Sequence, residues 1–459
     1  MMRSVDVVVI GAGPAGMSCA VEASAAGLSV LVLDENPAPG GQIWRGIETA
    51  TERRGRILGP DYGAGRTVAQ AFRASKADYL PSALVWNIST EKVVEYSHRG
   101  ASHQVQAGAV VSATGAFERP NPLPGWTLPG VTTVGALQIL LKSAGLVEED
   151  AVLVGSGPLL WLMAAQLVDA GVPPKAVVET TPKGRVLAAL RHLPRALRAR
   201  DYLWKGLALM RRVKAAGVPV HSHATGIRIE GKDQAEAVSF AANGRRVRIE
   251  SGHIALHHGV VPNQQVTRLM RAEHVWDASQ MCFRPVLSDM GETSVAGLFV
   301  AGDGTGIGGA KAAALQGRLL GLRLAARAGR SVAPERIERL SAGLAREGSV
   351  RPFLEALYAP PAWINAPEDA TIVCRCEEIT AGQVRAAVDL GAPGPNQVKS
   401  YLRSGMGPCQ GRVCGLLVSQ IIAAKRGLPP QKDDYYRIRP PMKPLPLTEL
   451  AAYRPEGAK

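Results

Sequence analysis

The sequence has only six cysteines in 459 residues, too few to staple a chain of this length with disulfides. It has no run of about 18 apolar residues that could span a bilayer. The apolar stretch Val7 to Ile10 is cut at once by a Gly-rich turn, which removes a signal-peptide reading. These absences predict a cytoplasmic chain that does not cross a membrane. Acids are the scarcer charge: 39 Asp and Glu stand against 53 Lys and Arg, for a formal net charge of +14. Ten of those cations and a single acid, Asp201, fall between Lys183 and Lys214, so +9 of the excess is local. Only Tyr202 and Trp204 interrupt that stretch as aromatics, so the stacking platform of a single-strand binder is missing and no nucleic-acid partner is expected. Val186, Leu190, Leu193 and Leu197, then Leu203, Leu207, Met210 and Val213, recur at helical spacing. They predict two short amphipathic helices, buried on one side and Arg-rich on the other. Such a face is solvated, docks a partner, or makes a peripheral contact with the inner face of the cell membrane.

What is present begins with a buried strand, Val5 to Ile10, that runs into Gly11-x-Gly13-Pro14-Ala15-Gly16 and an Ala-rich helix. Gly11 permits the tight turn, Gly13 lets a pyrophosphate approach the backbone, and Gly16 lets helix and strand pack closely. The next strand, Val30 to Leu33, ends on Asp34-Glu35, and an acid there suits an adenosine ribose. Glu35 is the first choice, five residues before Gly40-Gly41-Gln42. Ala113-Thr114-Gly115 closes another apolar strand, and Gly297 to Ala301 leads into Gly302-Asp303. Taken alone, Asp303 reads as a helix N-cap.

A second strand-turn-helix-strand unit starts at Ala151, with Gly155-x-Gly157 followed by Leu159-Leu160, so the third fingerprint glycine is missing. Its helix is expected to run to about Ala170, and its second strand ends on Glu179. Glu179 favours an NAD-like over an NADP-like ligand, but the missing glycine predicts a degenerate, structural unit. Asn243-Gly244 marks a hairpin between Glu230 and Ile254. Cys19 and Cys282 stand alone and are expected to be buried apolar residues, so the chain lacks the cysteine pair with which many such folds reduce disulfides. His257-His258 at a strand end read as packing or capping residues, and no residue is singled out as catalytic.

The strongest chemical signal is Cys374-x-Cys376, 32 further residues, then Cys409-x4-Cys414. Four thiolates in two tight pairs make a tetrathiolate site. Zinc is the alternative, but zinc pairs favour spacings of about two to four residues. Gly405, Gly407, Gly411 and Gly415 free the backbone to donate N–H groups to sulfur. Arg375 and Arg412 are placed to offset the roughly −2 charge of an oxidised 2Fe-2S cluster with four thiolates, and Cys414 opens the final helix, whose positive end favours thiolate. Thr380 with Gln383 forms a capping box for a helix over Ala381 to Leu390.

At its first fingerprint, ATG strand and TSVAGLFVAGD segment the chain resembles the glutathione-reductase-like flavoproteins with two dinucleotide-binding domains. The resemblance implies FAD in the first site, with Asp303 against the flavin ribityl and pyrophosphate. The CRCEEIT to GMGPCQGRVCG segment resembles the bacterioferritin-associated-ferredoxin-like domain, whose four cysteines bind a 2Fe-2S cluster. Together with GGQIW, PGWTLPGV, HHGVVPN and GDGTGIGGAKAAALQG, these motifs resemble the A (alpha) subunits of opine oxidases and dehydrogenases, the B subunits of hydrogen cyanide synthases and dye-linked proline or hydroxyproline dehydrogenases. The fold class expected is α/β, with two Rossmann-like domains and a small helical four-Cys domain. The FAD domain is discontinuous over 1–147 and 255–330 and the second domain covers 148–254. A linker over 331–370, the 2Fe-2S domain over 371–428 and a Pro-rich tail over 429–459 complete the chain. The resemblance implies an electron-relaying subunit whose partner, a glycine-oxidase-like flavoprotein beta subunit, oxidises the C–N bond of an amino acid or opine. An FMN at an interface between chains, a small third subunit in the complex and a quinone acceptor belong to the same expectation. Two rivals stay open: an NAD(P)H-dependent FAD/2Fe-2S reductase, and a non-catalytic scaffold with structural zinc.

Overall fold

Val7 to Ile10 are apolar at consecutive positions because the strand Arg3–Ile10 is central in a seven-stranded sheet. It pairs in parallel with Val30–Asp34 on one side and Ala101–Ser112 on the other. The computed structural model describes residues 2–454. Asp78–Pro81 extends the sheet in parallel at one end, Leu84–Ile88 and Val93–His98 add antiparallel strands at the other, and Leu298–Val300 joins beside Ala101–Ser112. The small residues of the first helix, Pro14–Ala25, are explained by its neighbour Ala310–Arg327. A Cβ on Gly317 would lie 2.1 Å from the Ala15 carbonyl oxygen, so the two backbones touch. Glu22, buried in that seam, accepts from Arg318 (2.8 Å) and Arg336 (2.6 Å).

The second sheet is wholly parallel, in the order Val220–His221, Ala176–Glu179, Val152–Gly155, Ile254–His257, Val131–Thr133. Its outer members move the expected boundaries. Those boundaries assign Val131–Thr133 and all but the first residue of Ile254–His257 to the first domain, yet Ile254 is in register with both Val131 and Val152, so both strands complete the second sheet. The expected hairpin forms one side of a three-stranded antiparallel sheet, Thr225–Glu230, Ala237–Ala242 and Arg245–Glu250, turning on Asn243 (φ 50°) and Gly244 (φ 75°).

Residues 331–370 are not a simple linker. Pro334–Glu347 is a helix whose Ile337, Leu340 and Leu344 pack with Leu315, Leu319 and Leu322, and Arg351–Leu357 is another. Within this segment the longest stretch without regular helix or strand surrounds the 3₁₀ turn Ala362–Asn365, whose Ile364 is fully buried. The basic stretch also departs from expectation. It forms Arg185–Leu190, Leu193–Ala196, a 3₁₀ turn Leu197–Ala199 and Arg200–Ala215. The residues it buries are Ala189, Ala196, Ala199 and Val213, while Val186, Leu190, Leu197 and Leu207 face out. Ala196 and Ala199 pack with Val350, and Tyr202, Leu203, Phe353 and Leu354 lie partly buried around them.

The four-Cys module pairs Ile372–Cys374 with Ile379–Thr380 and adds helices Ala381–Asp389, Pro395–Leu402 and Cys414–Lys425. Thr380 and Gln383 form the expected capping box. Its core is continuous with one face of the first sheet. The Pro-rich tail then returns across that sheet: Tyr435, Tyr436, Ile438 and Met442 are buried, the Met442 N–H donates to the Trp86 carbonyl (2.9 Å), and the Tyr453 ring meets Trp86 edge-on. Residues 455–459 of the expected tail lie outside the described residues. No helix among the described residues is long and apolar enough to cross a membrane.

Two buried histidines make stability depend on pH. His258, held between Asn121 (2.6 Å) and Thr180 (3.0 Å), is pushed down to about 3 by burial and then by His257 and Arg119. His274, beside Thr267 (2.9 Å), is pushed down to about 3 by burial and by Arg268. The folded chain keeps both neutral, whereas the unfolded chain protonates them near pH 6.5, so the unfolded state takes up protons first. Stability therefore falls as pH drops from about 6.5 toward 3, by about 1.4 kcal/mol per pH unit for each histidine. Urea midpoints at pH 7.5 and 5.5 measure this, and the drop should shrink in His258→Gln or His274→Gln. An unchanged midpoint in the wild type would contradict it.

Candidate functional site

The first nucleotide loop is shaped by close backbone approaches. Gly11 has φ +101° and a Cβ there would meet the Ala113 carbonyl oxygen at 2.7 Å, while one on Gly16 would lie 1.9 Å from the Gly11 carbonyl oxygen. Gly13 caps helix Pro14–Ala25 without a side-chain hydrogen bond, which leaves the N–H groups of its first turn for an anion. Gly41 folds over it, so that a Cβ on Gly41 would sit 2.9 Å from the Gly13 Cα. Asp34 and Glu35 divide their work. Asp34 is buried and accepts from the Ala12 N–H (2.8 Å) and from Asn36 (2.8 Å), so it clasps the loop from beneath. Glu35 faces outward and is ion-paired with Lys443 of the tail. The ATG strand and the Gly302-Asp303 loop close the other side. Thr114 Oγ1 lies 3.3 Å from Ser112 Oγ, the Gly115 carbonyl accepts from Asn263 N–H (2.9 Å), and Gly302 packs on Ala15. Asp303 accepts from the Gly308 and Gly309 N–H groups (2.9 Å each), which shapes the turn into helix Ala310–Arg327. It is not the helix N-cap that its sequence context alone suggests, since Gly309 holds that position without a side-chain cap bond. An uncapped helix end, a cradle that any Cβ would fill and an outward carboxylate together fit FAD. Glu35→Ala should therefore weaken FAD retention about tenfold, on the order of one charge-assisted hydrogen bond. Titration of the apoprotein with FAD checks it, and an unchanged Kd would remove Glu35 from the site.

Beside Gln42 lies a residue that sequence reasoning missed. Lys142 is buried, donates to the Gln42 carbonyl (3.0 Å) and to Gln138 Oε1 (2.7 Å), and is pushed down to about 7 by burial and by Arg45. Gln138 passes the chain of bonds on to Gln166 (3.0 Å). A lysine in register with Leu137, Gln138 and Leu141 on the buried face of helix Val134–Ala144 was the available signal.

In the second unit the turn forms: Gly155 (φ +145°) and Gly157 (φ +115°) take conformations that favour glycine, and Leu160 is fully buried in place of the third glycine. Glu179 is buried and turned inward, accepting from the Thr181 N–H (3.0 Å) and hydroxyl, and burial raises its pKa. His257 Nδ1 lies 2.5 Å from Glu118 Oε1, and its Nε2 faces Gly157. His257 and His258 thus tie strands together, as their sequence context suggests. Cys19 and Cys282 are buried and far from any thiol partner, and burial pushes both up to about 12.

All four cysteines of the C-terminal module meet. Cys374 ends a strand, Cys376 sits in the turn that follows, Cys409 lies in a loop and Cys414 opens its helix. The thiols associate pairwise, Cys374 with Cys414, Cys414 with Cys409 and Cys409 with Cys376. Among the described residues no three His, Cys, Asp or Glu side chains are set to hold one metal ion; the thiol contacts run in series from Cys374 through Cys414 and Cys409 to Cys376, as a rim. Hydrogen bonds set their acidity. The Cys414 thiol and the N–H groups of Gly405, Glu377 and Cys376 pull Cys374 down to about 6. The same thiol, with Val413, Cys376 and Gly411, pulls Cys409 down to about 5, while Cys414 itself is pushed well up. This donor set, soft sulfur surrounded by backbone N–H, fits a 2Fe-2S cluster. The glycines act by space: a Cβ on Gly407 would meet Cys376 at 2.3 Å, and those on Gly405 and Gly411 would enter the Tyr436 ring. Tyr436, contributed by the tail and not foreseen, donates to Ser404 Oγ (2.9 Å) and lies 3.9 Å from Cys414 Sγ. Its only signal was a Tyr-Tyr pair in Pro-rich sequence. Arg375 does not face the sulfurs alone, since its guanidinium lies over the Trp126 ring at 5.3 Å, and Trp126 Nε1 donates to the Ile372 carbonyl (2.7 Å). Cys376 is the one exposed sulfur.

Comparison with known proteins gives two family matches, the pyridine nucleotide-disulphide oxidoreductase family over residues 5–317 and the BFD-like 2Fe-2S binding domain over residues 372–424. The chain is 44% identical to the A subunit of opine oxidase from Rhizobium meliloti, covering 97% of this chain and 87% of that one. It is 28% identical to the hydrogen cyanide synthase subunit HcnB of Pseudomonas aeruginosa, covering 96% and 97% of the two chains. Among solved structures, the L-proline dehydrogenase from P. horikoshii superposes with a TM-score of 0.72 over 98% of this chain and 80% of that chain, at 19% identity, a likeness of fold.

Proposed function

Because the chain belongs to the pyridine nucleotide-disulphide oxidoreductase family, within the branch of the opine oxidase A subunits, we propose that it is the electron-relaying FAD/2Fe-2S subunit of a heteromeric amino-acid or opine dehydrogenase. In this reading a glycine-oxidase-like flavoprotein subunit oxidises the C–N bond, and this chain carries the electrons onward to a quinone or another carrier. The same scheme accommodates an FMN at the interface between the chains and a small third subunit. The observation that carries the reading is the pair of built sites, a dinucleotide cradle and a four-thiol rim, bridged by one tail that puts Tyr436 against Cys414 and Lys443 against Glu35.

When bound, the two groups together supply the conversion of an electron pair into single electrons, which a one-electron cluster demands. The residues of the chain do the rest. The Gly13 helix end and the Gly41 backbone receive the pyrophosphate, Glu35 the ribose, and Asp303 fixes the loop that closes over them. Lys142 can hold or release a proton at Nζ next to Gln42, since its acidity lies near neutrality. The isolated, protonated Cys19 and Cys282 take no part in disulfide chemistry. Exposed Cys376 would hold the cluster on the side that faces solvent.

The test is anaerobic reduction of the complex, purified with its co-expressed partner, by amino-acid or opine substrates. A reduced 2Fe-2S EPR signal is expected, and its absence despite substrate oxidation would end the relay reading. Bleaching of the flavin by NADH or NADPH on the isolated chain would favour the reductase instead. Zinc without iron in metal analysis would favour the scaffold.

A further inference from the structure

The basic stretch exposes what helices ordinarily hide. Val186, Leu187, Leu190, Leu197, Trp204 and Leu207 are 61, 75, 46, 55, 63 and 44% exposed, although all six lie within 22 residues. Inward positions are held by buried Ala189 and by Ala196 and Ala199, the latter two packed with Val350, so the outward leucines are not the leftover of a poorly packed core. The cations Arg191, Arg195, Arg198, Arg200 and Arg211 are exposed among them. Asp201 is already faced by Arg346 (3.8 Å) and Lys311 (4.0 Å), and Lys205 and Arg212 are paired with Asp61 and Asp169, but Arg191, Arg195, Arg198, Arg200 and Arg211 have no acidic partner among the described residues. Large apolar groups and uncompensated cations on one run of short helices cost solubility unless something covers them.

We propose that this face, residues 183–214, rests on an anionic lipid surface, with Leu187, Leu190, Leu197 and Trp204 inserted at the headgroup boundary and the arginines on lipid phosphates. The positive charge selects the occupant. A second copy would bring the same +9 against itself. A protein interface needs a dry apolar centre depleted of charge, whereas here arginines separate Leu190 from Leu197 and Leu197 from Trp204. A fluid bilayer meets both demands, because each side chain inserts separately and every phosphate offers counter-charge. The contact is peripheral, since none of the helices involved is long enough to span. The inference does not depend on the relay reading.

The experiment uses the full holoprotein with vesicles of phosphatidylcholine alone or mixed in equal parts with phosphatidylglycerol. Co-sedimentation with the mixed vesicles, little with phosphatidylcholine, and release by salt are expected. R191Q/R195Q/R198Q should weaken binding about a hundredfold, at about one kcal/mol per cation near the surface. L187N/W204Q should also release the protein, because charge alone is screened at physiological salt. Flavin and iron contents should be unchanged in both variants. Failure of the unmodified protein to bind the mixed vesicles overturns the proposal and returns the face to a protein partner or to solvent. Binding that survives both sets of substitutions overturns it equally, by placing the contact elsewhere. The relay test reads cluster reduction in solution, so the two ideas fail separately.

Discussion

Cys414→Ser is expected to abolish the visible absorption of the cluster and reduce iron content to near zero, while FAD content stays close to that of the wild type. Cys414 is fully buried and is the only thiol buried between two others that it touches, Cys374 and Cys409, so its loss divides the rim rather than shortening it. Metal binding to such a module is largely folding free energy, of order 10 kcal/mol for structural sites. The helix Cys414–Lys425, buried over most of its length, should then lose its anchor. Tyr436 should become mobile, which fluorescence or hydrogen exchange of the tail would register. Exposed Cys376 provides the graded comparison: Cys376→Ser should weaken the cluster without unfolding the module. Cys19→Ser and Cys282→Ser should leave iron unchanged. Full iron occupancy in Cys414→Ser would show that the rim is not the cluster site.

The second large effect is expected at Gly16. In Gly16→Ala the new methyl would start 1.9 Å from the Gly11 carbonyl oxygen and 3.3 Å from the Ala113 side chain, and the first contact is with backbone that cannot swing aside. Helix Pro14–Ala25 must move off its strand, at a cost of about 3 kcal/mol or more. Movement of that helix also displaces Ala15 from Gly302, so the loss of FAD should accompany the loss of stability. Gly206→Ala is the control. Gly206 lies inside the helix Arg200–Ala215 with nothing within 4 Å of an added methyl, and this change should stabilise by about 0.5–1 kcal/mol. Equilibrium unfolding of the three proteins measures both signs, and equal midpoints for Gly16→Ala and wild type would refute the steric argument.

What could be read from the sequence was local. The fingerprint, the Thr380–Gln383 capping box and the Asn243-Gly244 turn each depend on residues a few positions apart, and each forms where expected. The four cysteines were identifiable because few other side chains explain such spacing. What could not be read was set by distant partners. Ile254–His257 is apolar whichever sheet receives it, and only its pairing with Val152–Gly155 and Val131–Thr133 decides the matter. The same holds for the basic helices, where the spacing of Leu190 and Leu197 is right for burial but the surface beneath accepts Ala189 and Ala196. Glu35 was preferable to Asp34 by spacing, yet the physical reason, that Asp34 is occupied by the Ala12 and Asn36 N–H groups, lies in the fold. Lys142 and Tyr436 owe their roles to neighbours about 100 and 22 residues away.

Synthesis proceeds from the N terminus, and this gives the returning tail a place in time as well as in space. The fingerprint at Gly11 to Gly16 is made before the thiol rim, and the tail follows both: Tyr436 closes on Cys414 and Lys443 on Glu35, while Met442 and Tyr453 fix it to Trp86 and Glu95. Until those residues emerge, the Cys414 side of the rim lacks its tyrosine and Glu35 lacks its lysine. A nascent chain therefore presents both cradles open until this segment emerges, and the segment then acts as a clasp over sites already made.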